Sequence, residues 1–271
     1  MGGAGSACDV RVHQLVPSAG LPETWKGAMA SWSGVRGLTR VVHDDDALPR
    51  LLNLTLPNEP QDRWRAKIER VDMARYALMW SEGGVYADAD HQLVSSTALR
   101  AAACSGKTLL PVERVFERVG RRMERRLVVG QSVLIGPKHE PFWIELSRHI
   151  AQSYDPRCYE PLNTGPDAIT SFVNSLCEAA AAADKPSSSA VKRAKGARAR
   201  MLLHNVSLEH GFGDGLITTH LATGTWRTAA SLAHRDTRAN KRGCSKTYAS
   251  LERKLCAPYI HSTFVASPPS R

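Results

Sequence analysis

Apolar and polar positions follow two rhythms along this chain. Short β-branched runs, VRVHQL at 10–15 and LTRVVH at 38–43, read as strands. Between them PETWKGAMASW reads as a helix, and after HDDD the run ALPRLL opens another, with an Asp near its N-cap. LPNEPQ is a Pro-containing loop. The strongest helical rhythm covers 62–81, DRWRAKIERVDMARYALMWS. Trp64, Ile68, Val71, Arg75, Leu78 and Met79 recur there on one face. Gly83 and Gly84 stop it, one of them in the left-handed position just past the helix. A strand, VYADAD, follows at once. Strands TLLPVE (108–113) and LVVGQSVLIG (127–136) and a helix in EPFWIELSRHIAQSY (140–154) continue the alternation. The pattern predicts an α/β fold, a mainly parallel central sheet with helices on both faces. Residues 1–271 read as a single domain.

The periodicity fails at 178–200, EAAAAADKPSSSAVKRAKGARAR, where Val191 is the one large apolar residue. Residues 179–200 read as a low-complexity basic insertion or a disordered loop. No apolar run approaches the roughly 18–20 residues of a membrane helix, so this chain has no transmembrane segment. MGGAGSACDV has no apolar core of a signal peptide; its Gly2 and Ser6 fit a myristoylation pattern that short small-residue termini often match by chance.

Charge narrows the partners. Lys and Arg number 36 against 26 Asp and Glu, a net +10 with pI about 9.6. Such a field favours anionic ligands: nucleic acid, an acidic membrane face or phosphorylated small molecules. No zinc finger and no aromatic–basic interleaving of the RNA-binding kind is present, so no nucleic acid is expected. The six cysteines form no CxxC pair and are too few for a disulfide scaffold, although Cys244 and Cys256 could bridge in an oxidising compartment. Asn53 and Asn205 begin glycosylation sequons, which count only in a lumenal chain.

Candidate chemistry centres on EGGVYADAD, 82–90. Asp88 and Asp90 share a face if the strand continues through them. At the carboxyl end of a strand in an open α/β sheet that face meets the ligand crevice. Two carboxylates there call for a cation, and hard oxygen donors suit Mg²⁺ or Mn²⁺. On the preceding helix Asp72 and Arg75 stand at i and i+3 within an apolar stripe. They read either as a structural ion pair or as a polar clamp for sugar hydroxyls and phosphate. A haloacid-dehalogenase-type phosphatase also ends a strand in D-x-D. Its motif wants Thr or Val two residues after the second Asp, where this chain has Gln92, and it lies near the start of the domain.

The block VDMARYALMWSEGGVYADADHQL resembles the DXD sugar-binding region of the Och1-type (GT32-type) glycosyltransferases, related to α1,4-galactosyltransferases and clostridial glucosylating toxins. VHQLVPSAGLPETWKGAMASW, VVHDDDALPRLL, GQSVLIGPKHEPFWIELSRHI, NTGPDAIT and THLATGTW resemble further segments of that family, in its order, over about residues 10–230. The family's aromatic after HQ is absent here (Leu15, Val16), Gln131 stands where Asn is common, and the closing motif has one His, with Thr225 for Ser.

The resemblance implies a GT-A nucleotide-binding sandwich and a metal-dependent retaining transfer of a hexose, mannose foremost. The donor would be a GDP- or UDP-sugar, the acceptor a glycan or glycolipid, the cofactor Mn²⁺ or Mg²⁺, and the setting the Golgi lumen. It implies catalytic roles for Asp72, Asp88 and Asp90, and metal ligands in Asp88, Asp90 and His220. It implies donor contacts from His13, Gln14, Asp72, Arg75, Tyr86, Asp88 and Trp226. A non-catalytic, basic polyanion-binding protein on a degenerate transferase scaffold is the alternative.

Overall fold

The computed structural model describes residues 8–119, 122–158, 163–185, 189–210, 217–221, 256, 258 and 260–261. In chain order the elements are β1 (Val10–Leu15), α1 (Glu23–Ser31), β2 (Leu38–His43), α2 (Leu48–Asn53), α3 (Lys67–Ser81), β3 (Gly84–Ala87), β4 (His91–Leu93), α4 (Ser96–Ala103), β5 (Thr108–Val119), β6 (Arg122–Val129), β7 (Val133–Gly136), α5 (Pro141–Ser153), α6 (Pro166–Ala183), α7 (Ala190–Leu203), β8 (Val206–His210), β9 (Thr218–His220) and β10 (Ile260–His261).

The main sheet runs β10-β8-β5-β7-β3-β1-β2, with β6 paired to β5. β1 pairs in parallel with β2 and β3, and β8 with β5 and β10. β7 and β6 run against them. The mainly parallel α/β class expected from the alternation is therefore present. Its consequence for function is geometric: β1, β2, β3, β5 and β8 all point their carboxyl ends at one edge of the sheet.

Burial on both sheet faces explains why the parallel strands read as apolar runs. One core holds Leu51 of α2, Met73, Tyr76 and Met79 of α3, Phe142 and Ile150 of α5, Phe172 of α6 and Leu202 of α7. The other places Trp32, just after α1, with Leu99 and Ala102 of α4 against Val12, Val85 and Ile135 of the sheet.

Three expectations change. LVVGQSVLIG is two strands, β6 and β7, which run in the same direction against β5 and are separated by a jog at Gly130–Ser132, where Gly130 N–H bonds Pro111 O at 2.8 Å. The strand-like apolar runs on either side hide that interruption. Residues 179–200 are not a disordered loop. Their described part is the end of α6 and most of α7, packed together. Gly196 makes the close approach possible, since a Cβ there would lie 2.1 Å from Ala183 Cβ. Ala199, Leu202 and Leu203 bury the inner face. The small residues read as low complexity are what two tightly packed helices need.

The third change concerns cysteine. Cys256 bonds Cys177 on α6, not Cys244, and Cys8 bonds Cys104 after α4. Cys158 is disulfide-bonded as well. Among the described residues no helix is long and apolar enough to cross a membrane.

Candidate active site

The site is built where α3 hands over to β3. A 3-10 turn at Gln61–Arg63 and an extended Trp64 precede the helix, so α3 starts at Lys67 and not at 62. Buried Glu69 fixes that start: one oxygen accepts from Ala66 N (3.1 Å) and from Tyr154 OH (2.9 Å), the other from Asn163 Nδ2 (3.3 Å). At the far end Gly83 and Gly84 both have positive φ, 66° and 80°. A Cβ at Gly83 would meet Lys138 N at 2.3 Å, and one at Gly84 would meet Arg11 O at 2.5 Å. Only glycine lets the chain reverse here and enter the sheet.

β3 ends at Ala87, sooner than the run VYADAD suggests. Asp88 N still bonds Ser132 O (2.8 Å), but His91 N bonds Asp88 O (3.0 Å), closing a turn over 88–91. Asp88 and Asp90 thus occupy a turn at the sheet's carboxyl edge, not alternate positions of one strand. After the turn β4 pairs with β9, setting the backbone of His220 opposite His91. Leu221 N bonds Asp90 O at 3.0 Å.

α3 and β3 bring Asp72, Arg75, Tyr86 and Asp88 into one cluster. Arg75 Nη2 lies 3.0 Å from Asp72 Oδ1 and 3.5 Å from Asp88 Oδ1. Its Nη1 donates to Gln131 O (3.1 Å), and its guanidinium lies over the Tyr86 ring, 5.1 Å from the centroid. Tyr86 OH donates to Asp88 Oδ1 at 2.6 Å. Asp72, with no exposed surface, also accepts from Gln131 Nε2 (3.0 Å) and Thr164 Oγ1 (2.8 Å). The Tyr76 hydroxyl lies 2.8 Å from Thr164 O and also contacts Gln131 Oε1. Asp72 is therefore saturated by protein donors, whereas the Asp88 side chain keeps 26% of its surface exposed.

Burial alone would lower the pKa of Arg75. The neighbouring Asp88, Tyr86, Asp72 and Tyr76 outweigh it and hold Arg75 above its ordinary value, so it stays a cation. Burial pushes the Tyr86 hydroxyl well up, Arg75 opposes and Asp88 adds to the rise, so Tyr86 stays a proton donor.

His13 and Gln14 sit on β1, and His13 is in register with Tyr86. His13 Nδ1 meets His43 Nε2 at 3.1 Å, and the rings stack at 5.4 Å. Among the described residues neither His13 Nε2 nor either amide atom of the fully buried Gln14 has a hydrogen-bond partner. Burial lowers the His13 pKa to about 4, with His43 and Arg11 adding to it. A pKa below the unfolded value of 6.5 means the unfolded chain binds more protons in this window. Stability is thus whole above about pH 6.5 and falls toward about pH 4. His13→Asn is expected to flatten that fall by up to roughly 3 kcal/mol in denaturant titrations across the window. Equal pH slopes for both proteins would refute it.

Of the residues expected from sequence, Asp72, Arg75, Tyr86 and Asp88 converge, Asp90 stands in the adjoining turn, and His13 and Gln14 lie on the neighbouring strand. The side chain of His220 and all of Trp226 lie outside the described residues. Among the described residues no three His, Cys, Asp or Glu side chains converge as a metal-holding group. The donors present, two carboxylates on a turn with one carboxylate partly exposed, are nonetheless hard oxygens of the kind Mg²⁺ or Mn²⁺ takes. Tyr76, Gln131 and Thr164 carry the cluster without having been read as site residues. Their signal was indirect: Gln131 and Thr164 lie in the family-like segments GQSVLIG and NTGPDAIT.

Residues 22–113 match the family model described as a glycosyltransferase sugar-binding region containing a DXD motif. The match contains Asp72, Arg75, Tyr86, Asp88 and Asp90, and it supports a glycosyltransferase. A solved "PaToxG Glycosyltransferase" is similar to the chain, with TM-score 0.44 and 12% identity, over 73% of this chain and 88% of that one. A search of curated proteins returns no match.

Proposed function

We propose that the chain is a metal-dependent glycosyltransferase of GT-A type that moves a hexose, mannose foremost, from a GDP- or UDP-sugar to a glycan or glycolipid, with retention at the anomeric carbon. One observation carries this reading: Asp88, fixed by Arg75 and Tyr86, stands at the carboxyl edge of the parallel strands within the matched segment. Ligands of open α/β sheets bind at that edge.

In the reaction the bond between the anomeric carbon and the diphosphate oxygen breaks, an acceptor hydroxyl oxygen bonds that carbon and its proton passes to the diphosphate product, and negative charge grows on the departing nucleoside diphosphate. A bound Mn²⁺ or Mg²⁺ supplies Lewis-acid stabilisation of that charge. Asp88 and Asp90 would hold it, with His220 a third ligand. Arg75 fixes the rotamer of Asp88 and adds positive potential at the crevice. Asp72 locks Arg75 and is a positioning residue in this reading, reaching the donor sugar through its neighbours. Tyr86 keeps its proton and pins Asp88. The orphaned amide of Gln14 and Nε2 of His13 would meet the donor, which fits the cost of leaving buried polar atoms unpaired.

The test is a panel of nucleotide sugars with Mn²⁺, scored by release of nucleoside diphosphate and by the anomeric configuration of the product. No release from any donor, with metal and diphosphate also failing to raise the melting temperature, would sink the proposal. Diphosphate binding without turnover would favour the non-catalytic alternative.

The disulfides support an oxidising setting, because such bonds rarely persist in a reduced cytosol. Recovery of the chain from cells with all cysteines open to alkylation would overturn that placement.

A further inference from the structure

We propose that α7 docks the protein on an anionic lipid bilayer, a role independent of the catalytic reading. Ala190–Leu203 contains Lys192, Arg193, Lys195, Arg198 and Arg200 and no acidic residue. Arg198 pairs with Glu145 and Arg200 with Asp184, both at 2.8 Å, while among the described residues Lys192 and Lys195 are in no ion pair. The inner face of α7 is spent on the protein, through Gly196, Ala199, Leu202 and Leu203.

The outer face has a composition of its own. Val191, Ala194, Lys195, Arg198 and Met201 are all exposed and spaced i, i+3, i+4, i+7 and i+10, one stripe of a helix. Val191 and Met201 keep 65% and 61% of their surface in water. Apolar side chains interleaved with lysine and arginine match the boundary of an acidic bilayer, where cationic heads reach headgroups and methyl-bearing side chains enter the acyl edge. A polyanion with no apolar layer would use the charges and leave Val191 and Met201 idle.

The test uses the full chain with vesicles of phosphatidylserine mixed with phosphatidylcholine, and of phosphatidylcholine alone. Binding to the anionic vesicles only is expected, weakening with salt. The double variant Lys192→Glu/Lys195→Glu should bind at least about 20-fold more weakly, since each cationic side chain contributes about fivefold. It should stay folded, because both positions are exposed and Glu at 192, in the first turn of the helix, is favourable. Val191→Ser/Met201→Ser should also weaken vesicle binding, by several-fold. Equal binding to both vesicle types, or unchanged binding by the lysine variant, overturns the proposal. So does a serine variant that binds anionic vesicles like the parent, or duplex DNA bound more tightly than vesicles. Donor turnover by both variants should match the parent, which separates this result from any failure of the transferase reading.

Discussion

Asp72→Ala should lower the melting temperature by roughly 6–20 °C. The carboxylate is fully buried and receives Arg75, Gln131 and Thr164. Its removal takes the nearer carboxylate from the buried guanidinium, leaving it Asp88 at 3.5 Å and Gln131 O, and deprives the Gln131 and Thr164 donors of their acceptor, a loss of about 3–5 kcal/mol. For a domain of this size each kcal/mol corresponds to about 2–4 °C. Turnover per folded molecule should fall too, because Arg75 is then free to swing away from Asp88. Affinity for the free nucleoside diphosphate should drop less than turnover. Calorimetry, diphosphate titration and turnover on this one variant decide between positioning and direct sugar contact. A change of melting below about 2 °C with lost turnover would show that Asp72 touches the donor and braces nothing.

Asp90→Asn should lower transfer by at least about 100-fold while melting stays within a few degrees of the parent. The side chains are isosteric, but the amide is a poor ligand for a hard cation. A shortfall of about 3 kcal/mol in charge stabilisation at the leaving diphosphate corresponds to that factor. The loss should be partly recovered at high Mn²⁺. Parent-like turnover at low Mn²⁺ would remove Asp90 from the metal site. Lost turnover accompanied by a large melting drop would assign Asp90 to the fold.

Much of the site could be read from the chain because it is local. Asp72 and Arg75 are one helical step apart, and the double glycine marks where helix gives way to strand. Both glycines prove to have positive φ, where the sequence pointed to one of them. What closes the cluster comes from far away: Gln131 is 59 residues from Asp72 and Thr164 is 92. No local rhythm reports such a contact. The turn at 88–91 was hidden for another reason. Tyr86, Asp88 and Asp90 keep strand spacing, and only the bond from His91 N to Asp88 O shows that the chain has bent. α7 escaped because helix signals rest on large apolar residues, and a glycine–alanine seam has few. The antiparallel β6 and β7 left no mark either, since a buried strand is apolar whichever way it runs.

The bond between Cys177 and Cys256, with β10 seated beside β8, has a consequence for biosynthesis. A ribosome delivers β8 some fifty residues before β10, an interval of roughly 3–10 s at ordinary elongation rates. Throughout that interval the outer backbone of β8 offers unpaired N–H and C=O groups to any passing strand. The oxidant that joins α6 to Cys256 can act only once that later segment has been made. The nascent chain therefore passes through a sticky-edged state. The yield of active protein should depend on how soon chaperones and thiol oxidases reach it.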